Sequence, residues 1–62
     1  MIDYAFIKNG KVVNMAVFDN PSNELLEHFK QEFELDEIVI ATENAEVGGT
    51  YDGEKFYAAE QN

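Results

Sequence analysis

The sequence predicts a small α+β domain: an N-terminal antiparallel β-hairpin, one amphipathic helix packed on the sheet, a third strand and a C-terminal β-hairpin. Three observations predict it. Asn9-Gly10 sits between two runs of strand-type residues, 4–8 and 11–18. Leu25, Leu26, Phe29 and Phe33 then recur at helical spacing behind Pro21-Ser22. Finally, Asp52-Gly53 separates Thr50-Tyr51 from Phe56-Tyr57.

Asn-Gly accepts positive φ at both central positions of a type I′ turn, the strongest short-range hairpin signal. A two-residue loop sets the register. Lys8 faces Lys11, Ile7 faces Val12, Phe6 faces Val13 and Tyr4 faces Met15. Side chains alternate along a strand, so one face carries Ile2, Tyr4, Phe6, Val13, Met15 and Val17. That uniformly large, apolar set is the expected core face. The other face carries Asp3, Ala5, Ile7, Val12, Asn14, Ala16 and Phe18.

Asn20 is the expected N-cap and Pro21 the first helical residue, where its missing N–H costs nothing. Glu24, Glu27, Lys30, Gln31 and Glu34 fill the side opposite the apolar stripe, about four turns long, and Lys30 can meet Glu27 and Glu34. Residues 37–42 form a β-branched run, a third strand whose neighbour the sequence leaves open. Gly48-Gly49 interrupts regularity, and residues 50–57 read as a hairpin with either a tight turn or a four-residue loop, 52–55. Residues 58–62 are expected to fray.

Sixty-two residues make one domain with a modest core, because a chain this short buries only about 60% of its unfolded surface. There is no cysteine, hence no disulfide, and the single His28 cannot supply a zinc site. Eight aromatic residues offer large apolar area to a small core, with self-association as a further source of stability. Thirteen acids against four lysines give a net charge of −9. Nucleic acid and anionic membrane are poor partners for such a surface; high solubility or a basic partner suits it. No stretch approaches a membrane span of about 20 apolar residues, and the N-terminus lacks the basic and apolar regions of a signal peptide.

Catalytic chemistry finds little purchase, and no catalytic, cofactor-binding or metal-ligating residue is assigned. His28 reads as a boundary residue beside the apolar stripe, Ser22 as helix-start chemistry. Glu32, Glu34, Asp36 and Glu37 read as a solvated acidic edge, since their spacing matches no EF-hand loop. The glycine pairs lack the spacing and following helix of a phosphate loop.

Two segments resemble known proteins. Residues 47–56 include Gly48-Gly49-Thr50-Tyr51-Asp52-Gly53-Glu54-Lys55-Phe56, similar to the Gly-x-x-Tyr-Asp-Gly-x-x-Phe ending of many small bacteriophage tail-fibre, tail-assembly and baseplate-associated chains. Tyr4-Ala5-Phe6-Ile7-Lys8-Asn9-Gly10-Lys11-Val12-Val13-Asn14 resembles the aromatic-x-Asn-Gly-x-Val-x-Asn start of such proteins. The two motifs touch about a third of the chain, and Gly49-Thr50 stand where the commonest version has tryptophan. The resemblance implies a non-enzymatic structural or assembly role, in the virion or host cytoplasm, and brings no catalytic residues. The expected partners are proteins, either virion subunits or a second copy. An acidic inhibitor of a host protein is the alternative. Ile7, Val12 and Phe18, on the second hairpin face, are candidate partner-binding residues, together with Tyr51 and Tyr57.

Overall fold

A computed structural model describes residues 1–59. The first turn forms as its chemistry requires: Asn9 and Gly10 take φ of 52° and 75°, the type I′ pair. It joins β1 (Ile2–Lys8) to β2 (Lys11–Phe18), with Lys8 opposite Lys11 and Ile7 opposite Val12. Beyond Ile7 the ladder departs from the expected register. Phe6 pairs with Asn14, Ala5 with Met15 and Tyr4 with Ala16. Val13 is thus an extra residue on β2, a β-bulge that shifts the facing of every later β2 side chain.

The bulge redistributes the hairpin between two apolar layers. On one face Phe6 meets Phe29 and Phe33, Phe18 meets Phe29 and Phe6, and Tyr4 stands edge-on to Phe18, with ring centroids 5.5–6.5 Å apart. On the other, Ala5, Ile7 and Val12 form a buried cluster with Phe56, flanked by Met15, Val39, Ala41, Ala45 and Tyr51. The single expected core face is therefore corrected. Met15 belongs to the second layer, while Val13 and Val17 are 45% and 57% exposed. Ala5, Phe6 and Ile7 are consecutive and all buried, as befits a central strand covered on both sides.

Helix α1 (Asn23–Glu32) starts two residues later than the sequence suggests. Asn20 takes φ 52° and turns the chain out of β2. Ser22 is the N-cap, its Oγ accepting the Leu25 N–H at 3.1 Å. Its extended backbone, which leaves the hydroxyl beside the first free amides, is the reason. The helix has ten residues instead of four turns, and Phe33 closes it as C-cap. Glu34 lies past the end at φ 53°, so among the described residues Lys30 pairs with Glu27 alone, at 3.6 Å.

The helix ends in a Schellman motif. The Leu35 N–H donates to the Lys30 carbonyl at 2.8 Å and the Glu34 N–H to that of Gln31 at 3.3 Å. Glu34 occupies the left-handed position usually given to glycine, with its negative charge beside a helix C-terminus. Glu34→Gly is accordingly expected to raise stability by about 1 kcal/mol, read as a higher urea midpoint at unchanged slope. A lower midpoint would mean that the Glu34 side chain makes a stabilising contact outweighing the backbone strain.

β3 (Glu37–Ile40) returns antiparallel beside β1, with Tyr4 opposite Ile40 and Ile7 opposite Glu37. The junction is pinned by Asp36, whose N–H donates to the Ile7 carbonyl at 2.8 Å and whose Oδ2 accepts the Asn9 N–H at 2.6 Å. β4 (Thr50–Tyr51) pairs with β2 at Lys11, and β5 (Phe56–Tyr57) pairs with β4. The result is one five-stranded antiparallel sheet in the order β3-β1-β2-β4-β5. The second hairpin uses the four-residue alternative, 52–55. The expectation of fraying over 58–62 falls in part on residues 60–62, which lie outside the described ones; at Ala59 the N–H donates to Glu46 Oε1 at 3.0 Å.

Candidate functional site

β4 is two residues long, so it covers only the beginning of β2. Which backbone groups this leaves open follows from the ladder. The Asp3 and Ile7 carbonyls accept from Ala41 and Asp36, on the β3 side of β1. Ile2, Tyr4, Phe6 and Lys8 therefore present their N–H and C=O groups to β2, where they meet Phe18, Ala16, Asn14 and Lys11. Val12, Met15 and Val17 point the other way.

Of these three, Val12 is satisfied: its N–H donates to the Gly49 carbonyl and its own carbonyl accepts the Gly48 N–H, both at 2.9 Å. Past Val12, no described strand pairs with β2 on this side. The Met15 N–H is taken by the Asn14 side chain, Oδ1 accepting at 2.9 Å. The edge thus runs from Val13 to Phe18, with exposed Val13 and Val17 side chains along it. An open edge of this kind is a template for an added strand.

The five residues expected to meet a partner scatter. Ile7 and Val12 are corrected outright: at 3% and 1% exposure they are core, covered by the folding-over of the C-terminal hairpin. Phe18 is half-buried, its ring against Tyr4, Phe6 and Phe29. Tyr51 is half-buried against Phe56, ring centroids 4.6 Å apart, and donates its hydroxyl to the Gly53 carbonyl at 3.0 Å. Tyr57 alone is half open to solvent, beside a groove lined with Lys11, Gly48, Thr50 and Ala59. Val13 and Val17 were missed because alternation without a bulge puts them in the core. The signal that could have found them is charge: residues 12–18 are the longest uncharged run in the chain.

The second hairpin has its own electrostatic lock. Asp52 Oδ1 accepts the Glu54 and Lys55 N–H groups, each at 2.8 Å, and Oδ2 accepts the Tyr57 hydroxyl at 3.0 Å. The Lys55 and Glu54 amides and then the Tyr57 hydroxyl hold the Asp52 carboxyl below its ordinary 3.8. The same bond, with the charge of Asp52, raises Tyr57 above its ordinary 10.0. A depressed carboxyl stabilises the fold above its unfolded pKa and stops doing so as pH falls through the folded one. A raised phenol stabilises below its unfolded pKa and stops as pH rises through the folded one. Hairpin stability is therefore expected to be flat across neutral pH, to fall below about pH 4 and to fall again above about pH 10. Asp52→Asn should flatten the acid limb of Tm against pH; an unchanged limb would remove Asp52 as its cause.

His28 is exposed on α1, its ring edge-on to Phe29 at 5.8 Å. Among the described residues, no three His, Cys, Asp or Glu side chains gather as a metal-holding group. No described helix is long and apolar enough to cross a membrane. Compared with protein-family models, curated proteins and solved structures, the chain matches none.

Proposed function

We propose that this chain is a small non-enzymatic structural or assembly protein of the bacteriophage type, acting through protein–protein contacts along its sheet edge. The observation that supports this most is the β2 edge from Val13 to Phe18, which offers unpaired backbone and exposed valines together. The Asn-Gly and Tyr-Asp-Gly motifs that resemble small phage proteins supply the biological setting. Both are turns that hold the edge in place: the first sets β2, and the second closes the hairpin whose Tyr51 and Phe56 back it. Mass analysis of virus particles purified from the source encoding this chain tests the role. The chain is expected in the particles in fixed proportion to other subunits, and its consistent absence would overturn the virion assignment.

The net charge of −9 favours a second reading, an acidic inhibitor steered onto a basic host protein. Host-lysate capture at low and high salt separates the two. Under this reading a defined host protein is retained at low salt and released at high salt; retention indifferent to salt counts against it.

A further inference from the structure

Deepening that reading, and resting on it, we propose that the occupant of the free β2 edge is the β2 edge of a second copy. The two strands would run antiparallel, extending each sheet across a two-fold axis near Ala16. Hydrogen-bonding phase comes first. Met15 and Val17 both point their backbone groups outward, so an antiparallel copy can pair Met15 with Val17 of the other chain, and Val17 with Met15, in the same phase. This register also keeps the incoming strand clear of Gly48 and Gly49, which already occupy the edge at Val12. An interface of this form is isologous and closes on itself as a dimer.

Charge selects the second copy. A chain of net charge −9 meets itself at lowest cost where it carries no charge, and residues 12–18 are its longest uncharged run. That run is bounded by Lys11 at one end and Asp19 at the other. Antiparallel pairing brings the Lys11 end of each copy toward the Asp19 end of the other, whereas parallel pairing would set like against like. The opposite edge of the sheet fails the same test. There the uncharged run 38–42 is bounded by Glu37 and Glu43, so antiparallel self-pairing would oppose acid to acid.

Asn14 controls access. Its side chain occupies the Met15 N–H, which must be released for pairing, so the carboxamide competes with the incoming strand. The bulge at Val13 sets how far the ladder can extend toward β4.

Sedimentation equilibrium on the purified chain, up to about 1 mM and at low and high salt, reads the association directly. The expected result is a monomer–dimer equilibrium that tightens with salt, because screening relieves repulsion between two copies of like net charge. Val17→Pro removes an outward N–H that no strand inside the monomer uses, and Val13→Glu sets a negative charge against the Asp19 end of the other copy. Each is expected to weaken dimerisation about tenfold or more while circular dichroism stays native. Asn14→Ala should tighten the dimer, a gain that damage to the fold would not produce. The proposal is overturned by a native chain that stays monomeric throughout, or by a dimer as tight in both edge variants as in the native chain. A monomer found in virus particles would overturn self-pairing and leave the assembly role standing; a dimer absent from particles would do the reverse.

Discussion

Gly49→Ala is expected to destabilise the protein by about 3 kcal/mol, through collision with no room to relax. A methyl group at position 49 would run into the Tyr57 carbonyl oxygen and stand 3.1 Å from that of Glu46. Both obstacles are backbone, so neither can swing aside as a side-chain tip would. Gly49 does not have a positive φ, unlike Gly10, Gly48 and Gly53; the requirement is space. Relief demands that β5 move away from the 48–49 segment, which would loosen the Gly49–Val12 bond and the packing of Phe56 on Ile7 and Val12. A domain of this length holds roughly 3–9 kcal/mol in total. The variant should therefore be largely unfolded, or should keep β1–β2–α1 and lose protection of the 48–57 amides. Thermal unfolding and amide exchange distinguish these outcomes. A loss below about 1 kcal/mol would mean that β5 yields to the methyl group without loosening Phe56, and would overturn the steric requirement at Gly49.

Phe6→Ala should cost about 4 kcal/mol, and Val13→Ala no more than about 0.5 kcal/mol. Phe6 is 3% exposed, and its ring lies 6.1–6.5 Å from those of Phe18, Phe29 and Phe33. Truncation leaves a cavity at the point where the helix rests on the sheet. The helix has no buried residue of its own and rests on Phe6 through both Phe29 and Phe33, so small shifts do not close that gap. Val13 carries the opposite lesson. Alternation from the Asn9-Gly10 turn pairs it with Phe6 as a core residue, which would make the two losses comparable. The bulge turns it outward, and the loss should all but disappear. Urea unfolding of the two variants measures the contrast, and a loss above about 2 kcal/mol at Val13 would restore the bulge-free register.

The legible features are those whose causes are local. Asn9-Gly10 needed only its own two residues to select a turn, and Asp52 needed only the amides two and three positions ahead. Helix α1 was visible in apolar spacing, although its cap moved from Asn20 to Ser22 because both residues have capping chemistry. The binding surface was far less legible. Ile7 and Val12 looked like a spare apolar face because the residues that cover them, Tyr51 and Phe56, lie about 40 positions further along. The free edge was hidden for a related reason: nothing within β2 says that its neighbour is only two residues long.

By itself, the sequence determined an α+β chain with two hairpins, the Asn9-Gly10 turn of the first, one helix between them and an acidic composition with a neutral run at residues 12–18. Turn conformation, helical period and charge depend on near neighbours, so they survive without a fold. Tertiary structure alone decided the bulge at Val13, the placing of β3 beside β1, the burial of Ile7 and Val12, and the edge at Val13–Phe18. Each depends on apolar area summed over both faces of the sheet. With the bulge, Phe18 joins Phe6 and Phe29 under the helix while Met15 joins Ala5 and Val12 under the C-terminal hairpin. Without it, Asn14 would lie in the second layer and Phe18 would leave the first. No single strand contains that comparison, because its terms are supplied by α1 on one side and by residues 41–56 on the other.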